Sequence, residues 1–345
     1  MQIDVWQIQG TAFHLGRHGL GQEESNPHLT SDTLFAAITA RLVELKGAVA
    51  VQTWMQPFLQ RNPPFLISSA FPQAGAIRFY PKPQIRDDHS VAKPGMDPKK
   101  LKRIQWVSEK VFLRLLKGEG LAHLGDAGIF LQEGALLLTH EEKAGLPNQG
   151  ADNFTTLWEV ERRPRVTVDR AQMSSNLFFT GRTVFSADCG LWFGVHWLQP
   201  QPGIAALFEQ LLADLGDAGI GGERTAGFGA AHIKKQGKID LPDAAGRNWV
   251  TLSHYLPAQA EMAALSHPFS TYTIESVGGW VDSPGRKSER RRIVQMLAEG
   301  SVFGPLAGLP YGQVVDVQPQ YGGKQPLEHP VYRSGLAFPV GFETK

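Results

Sequence analysis

"GIGGERTAGFG", residues 219–229, sets five glycines in eleven positions around one arginine, Arg224. Glycine has no Cβ and takes positive φ at little cost, so such a run can turn successive N–H groups onto an anion. The nucleotide-binding patterns do not fit. A P-loop ends in Gly-Lys-Ser/Thr, whereas "AGFG" stands here. A dinucleotide fingerprint follows a strand and opens a helix. Here Ile204, Leu207, Phe208, Leu211 and Leu215 predict a helix before the loop, with Gly216 at its cap, and residues 228–233 predict a strand after it.

Working outward, the chain alternates both periodicities. Ile3, Val5 and Ile8 suit a strand, and Ser31 and Asp32 open a helix along Leu34, Ile38, Leu42 and Leu45. "FLISSA", "PQAG" and "AIRFY" read as strand, turn, strand over 65–80. Residues 81–103, polar and Pro-bearing, read as a projecting loop or hairpin, and a helical period runs on through Ile104, Val107, Val111 and Leu115. "VTVDR" and "GLWFGVHW" are further strands, whereas 290–303 carries helix formers and is left open between helix and strand. "LGDAGI" occurs at 124–129 and 215–220, either as a repeated helix end or as a trace of duplicated β-α-β-β units. The expected class is α+β, in two domains of 1–160 and 161–345, with "GLPNQGADN" as the linker.

The 345 residues are 42% hydrophobic, enough for a substantial core. One cysteine, Cys189, excludes an intrachain disulfide and a thiolate zinc site. With no basic start leading into an apolar run and no apolar stretch of about 20 residues, the expectation is a cytoplasmic chain with no membrane contact. A formal charge of +1 gives no global pull on a polyanion. The basic residues are nevertheless grouped: Lys99, Lys100, Lys102 and Arg103; Arg162, Arg163, Arg165 and Arg170; Arg286, Lys287, Arg290, Arg291 and Arg292. Phosphate contacts need local charge rather than net charge, so these groups keep nucleic acid in play. His14 and His18 sit in a glycine-broken segment without a completing carboxylate, so neither a metal nor another cofactor is expected.

Together these stretches resemble the RAMP proteins, the repeat-associated RNA-binding superfamily of CRISPR systems. The glycine loop carries that superfamily likeness. "SDTLF" at 31–35, "YPKP" at 80–83 and "HPVYR" at 329–333 narrow it to the foot subunit of the type III-A (Csm) effector complex. The resemblance implies two ferredoxin-like (RRM-like) domains with antiparallel sheets, and it favours a strand over 290–303 despite the helix formers there. It also implies a non-catalytic subunit that binds the repeat-derived 5′ handle of the crRNA in antiviral defence. Its implied partners are the large polymerase/cyclase-like subunit and the RAMP backbone subunit. In that role His14, Arg17, His18, Ser31, Lys82, Lys99, Lys100, Lys102, Arg103, Arg165 and Arg170 would contact RNA. So would Gly219, Gly221, Gly222, Arg224, Gly227, Phe228 and Gly229, with Phe228 a stacking face and the amino end of the helix at Ser31 a second anion site. Trp106, Phe179 and Tyr332 are further candidates for stacking bases. The competing reading is a metal-independent RAMP endoribonuclease using His14 and His18 as general acid and base.

Overall fold

The computed structural model describes residues 1–16, 24–85, 97–149, 154–169, 174–281, 288–322 and 326–342. The chain opens with β1 (Gln2–Gln9), β2 (Ala12–Phe13), α1 (Ser31–Lys46) and α2 (Ala48–Leu59). There follow β3 (Phe65–Ile67), β4 (Phe71–Ala74), β5 (Ile77–Pro81), α3 (Pro98–Arg103), β6 (Trp106–Ser108), α4 (Glu109–Leu116), α5 (Leu121–Asp126), β7 (Gly128–Leu131) and β8 (Leu136–Thr139). The middle of the chain holds β9 (Trp158–Asp169), β10 (Ser174–Phe185), β11 (Cys189–Trp197), α6 (Pro202–Ala218) and β12 (His232–Asp240).

Apart from β2, β10 and β9, which form a separate three-stranded sheet in that order, nine of these strands build one sheet in the order β12-β1-β11-β4-β5-β6-β8-β7, with β3 also paired to β11. All of its pairings are antiparallel except β6 with β8. Within it, β1, α1, β4, β11, α6 and β12 follow the β-α-β-β-α-β succession of a ferredoxin-like unit, and residues 75–188 are inserted between its second and third strands. The sheet therefore runs across the boundary expected at residue 160, because β1 pairs with both β11 and β12. Burial follows the periodicities. Leu34, Phe35, Ile38 and Leu42 of α1 are buried, and Gly47 ends that helix at φ 80°. Trp6 of β1 packs edge-on against Phe208 of α6 at 6.2 Å.

The helical period expected through 99–118 is broken. Trp106 to Ser108 form β6, which bridges β5 and β8, and the helix resumes only at Glu109. Two edge pairings outweigh local propensity there. Likewise the strand after the glycine loop begins at His232, later than expected.

The carboxy-terminal part contains β13 (Asn248–Thr251), α7 (Met262–Leu265), β14 (Ile274–Val277), β15 (Trp280–Val281), β16 (Glu289–Arg290), β17 (Val294–Leu297), β18 (Val302–Phe303), β19 (Gly312–Asp316), β20 (Tyr332–Leu336) and β21 (Pro339–Phe342). They pair as small antiparallel sheets: β18-β13-β21, β14-β17, β15-β16 and β19-β20. The strand reading of 290–303 holds. Among the described residues of this part the one α-helix spans four residues, so a second ferredoxin-like unit with two packed helices is not what forms. The α+β class stands, as a large mixed sheet with small antiparallel sheets beside it.

Candidate nucleic-acid interface

The glycine loop leaves α6 and folds onto the end of β2. Gly222 N–H donates to His14 O, and Gly229 N–H donates to Ala12 O, both at 2.9 Å. Ile220 N–H closes the loop onto Gly229 O at 2.9 Å. Two glycines are demanded by these approaches. A Cβ on Gly221 would lie 2.4 Å from His14 O, and one on Gly229 would lie 2.2 Å from Ile220 O, both at positive φ. Gly227 instead turns the exposed tip, at φ 84° with open space around it. Arg224 is exposed beside it.

This loop forms one wall of a cleft of about 380 Å³. Gly219, Gly221, Gly222, Arg224 and His14 line that wall. The floor is the small-residue face of α1, with Thr33, Ala36, Ala37 and Ala40. The far wall comes from the carboxy-terminal part, through His254, Glu275, Trp280 and Arg291. His14 Nδ1 lies 2.6 Å from Gly181 O, which fixes the ring at the cleft edge. Arg41 also reaches the cleft but is ion-paired with Asp214 and Glu44.

Behind the cleft lies a buried charge network. Asp32, in the first turn of α1, pairs with His254 Nδ1 at 2.8 Å and with Arg333 Nη1. Arg333 Nη2 donates to Gly278 O at 2.6 Å. His254 Nε2 faces Glu275 at 3.5 Å and Glu299 at 3.6 Å, distances of ion pairing rather than hydrogen bonding. Burial raises the Asp32 carboxyl, but the hydrogen bond and charge of His254 and the charge of Arg333 outweigh it and hold it far below the usual carboxylate range. Burial pushes His254 down, yet Glu299, Asp32 and Glu275 together raise it well above an ordinary histidine.

That network disposes of one expected site. Ser31 is 4% exposed; its N–H donates to Ser69 Oγ at 2.8 Å and its Oγ accepts from His254 N–H at 3.0 Å. Protein groups, with the Asp32 carboxylate beside them, occupy the amino end of α1, where an RNA phosphate was expected.

The other expected residues scatter. Lys99, Lys100, Lys102 and Arg103 are exposed on α3 and do not line the cleft. Lys82 is half-buried, with Nζ donating to Leu101 O at 3.3 Å, and burial lowers its pKa. Arg165, on the β9–β10 ribbon, pairs with Glu223 of the glycine loop at 2.8 Å and so ties ribbon to loop. Phe228 lies under Arg182, whose guanidinium sits 5.6 Å from the ring centre. Trp106 is core, whereas Phe179 is exposed on the ribbon. Arg17, His18 and Arg170 lie outside the described residues, as do Arg286 and Lys287 of the third basic group and residues 86–96 of the expected projection. Arg291 stood in the third basic group and Arg333 in "HPVYR" without a role assigned to either, whereas Trp280 and His254 were missed because nothing local marks them.

Among the described residues no group of three or more His, Cys, Asp or Glu is set to hold a metal ion, and no helix is long and apolar enough to cross a membrane.

Comparison with known proteins agrees with the resemblance read from the sequence. Residues 244–342 match the family model of the CRISPR Csm4 C-terminal domain. The chain is 28% identical over 320 residues to the Csm4 protein of Thermococcus onnurineus, covering 91% of each chain. It is 26% identical over 341 residues to the Csm4 protein of Mycobacterium tuberculosis, covering 96% of this chain and 95% of that one. Among solved structures it resembles a chain of a Csm3–Csm4 subcomplex of the type III-A CRISPR-Cas interference complex, with a TM-score of 0.64, 17% identity and full coverage of both chains. It also resembles a chain of a Csm1–Csm4 cassette in complex with cA4, with a TM-score of 0.56, 19% identity and coverage of 100% and 99%. At these identities the structural matches speak for the fold. The matches together show similarity to Csm4 proteins over nearly the whole chain.

Proposed function

We propose that this Csm4-like chain is a non-catalytic RNA-binding subunit of a type III CRISPR-Cas complex, holding the 5′ handle of the crRNA in the cleft beside the glycine loop. The observation that carries the reading is the cleft itself. Exposed Arg224, the fixed ring of His14 and Arg291 converge from two parts of the chain on one groove floored by small residues. Cations on opposite walls suit a folded single strand, whose phosphates turn toward both. The solved Csm3–Csm4 and Csm1–Csm4 assemblies support a place between a backbone subunit and a large subunit.

Fluorescence anisotropy with a guide RNA bearing the true handle, beside a shuffled-handle control, tests this across a salt series. Tighter binding of the true handle, weakened in Arg224→Ala, supports it. Equal binding of both RNAs removes handle recognition from this chain. RNA cut in those tubes, with cutting lost in His14→Ala, would replace the reading by the endoribonuclease.

A further inference from the structure

We infer that Trp280 is a stacking platform for one unpaired RNA base, set opposite the glycine loop; the inference rests on the handle-binding reading above. Of the eight tryptophans, Trp6, Trp54, Trp106, Trp158, Trp192 and Trp249 are buried at 7% exposure or less. Trp280 is 56% exposed and lines the cleft. Among the described residues it is the tryptophan left most open to solvent.

The chemistry around the ring says what covers it. Trp280 on β15 is directly opposite Arg290 on β16, and the Arg290 guanidinium lies 4.9 Å from the ring centre. Directly opposed strand residues bring their side chains together, so the cation is built against the ring by register. One ring face is thus taken by a cation, and Arg291, the next residue, lines the same cleft. An aromatic ring backed by a guanidinium, with a second arginine alongside, suits a nucleobase carrying its phosphate better than an aliphatic side chain.

The ribbon is held in place from the core. Arg333, 2% exposed, donates to Gly278 O two residues before the tryptophan, and is itself clamped by Asp32. Arg291 N–H donates to Gly279 O at 2.9 Å. A platform must be rigid to take a base at low entropic cost, and these bonds supply that rigidity.

Intrinsic fluorescence of the full chain, titrated with the handle RNA, tests the inference, because the variants alter an exposed side chain and leave the core alone. In the wild type, saturating quenching should track the anisotropy curve. Trp280→Phe should lose that quenching yet bind within about threefold, and Trp280→Ala should bind roughly 5- to 100-fold more weakly. An abasic scan of the handle should find one nucleotide whose base matters to the wild type and not to Trp280→Ala. If the wild type binds while its quenching survives in Trp280→Phe and Trp280→Ala binds equally well, the platform is overturned and handle binding stands. If the wild type does not discriminate the true handle, both fall. If a partner subunit, but not RNA, shields Trp280 from acrylamide, the surface is a protein interface and the inference fails.

Discussion

Arg224 sits at an exposed loop tip, so its loss should cost contacts to RNA without costing fold. Arg224→Ala is expected to weaken handle binding and to shallow the dependence of log affinity on log salt by about one, the signature of one phosphate contact. An unchanged slope would show that Arg224 meets no phosphate. The glycines around it divide by what surrounds them. Gly229→Ala forces a Cβ to within 2.2 Å of a backbone oxygen at positive φ, whereas Gly227→Ala meets only the φ penalty. Urea unfolding should therefore show roughly 2–4 kcal/mol lost for Gly229→Ala and about 1 kcal/mol for Gly227→Ala. The sequence displayed the loop but not this division of labour, because a glycine required by an approaching carbonyl and one required by a turn look alike in one dimension.

At the scale of elements, the decisive contact joins α1 to β20. Asp32 and Arg333 lie in "SDTLF" and "HPVYR", two of the stretches that narrowed the family resemblance, and they meet as a buried pair. Their meeting was not legible, since 301 positions separate them and neither stretch announces a partner. Removing the cation with Arg333→Met leaves the buried Asp32 carboxylate with His254 as its remaining charge partner and should cost about 3 kcal/mol in thermal or urea unfolding. Arg333→Lys keeps charge near Asp32 but cannot fork to Gly278 O, so handle binding should fall along with that of Trp280→Ala while most stability remains. The pH dependence has two opposite limbs. His254 has a raised folded pKa, so its stabilisation is complete below about 6.5 and is lost as pH rises through the higher folded value. Asp32 has a depressed folded pKa, so its stabilisation is complete above about 3.9 and is lost as pH falls below that through the lower folded value. Calorimetry should show the wild type losing more melting temperature above pH 6.5 than His254→Gln does. Parallel curves would mean that His254 is not protonated in the fold.

For the whole molecule, chain order misleads about domains. A reading that places a boundary where composition shifts, near 150–165, assumes that neighbours in sequence are neighbours in space. Here residues 75–188 are inserted into one sheet, and β1 finds its partners 183 and more residues later. Local signals did predict α1, α6 and several strands, among them β1, β5 and β11, because their apolar positions keep a period of 3.6 or 2 whatever the topology. Pairing across a long insertion leaves no such trace. The same geometry makes the two parts of the chain one folding unit. Val250, Leu252, Phe338 and Val340 of the carboxy-terminal part belong to the same buried cluster as Ile3, Val5 and Phe193 of the large sheet. A Cβ on Gly194 of β11 would lie 3.2 Å from the Phe338 ring, so the two parts meet without a gap. Cutting the chain at residue 243 would expose that seam, and each buried Leu, Val or Phe released to water forfeits about 1.5–3 kcal/mol, which a margin of about 5–15 kcal/mol does not survive. The whole chain should therefore unfold in one calorimetric transition whose van't Hoff and measured enthalpies agree, and the fragment 1–243 should be protease-sensitive when expressed alone. Two separated transitions, or a fragment 1–243 that melts cooperatively, would show that the seam is an interface between independent domains and that the cleft across it opens and closes freely.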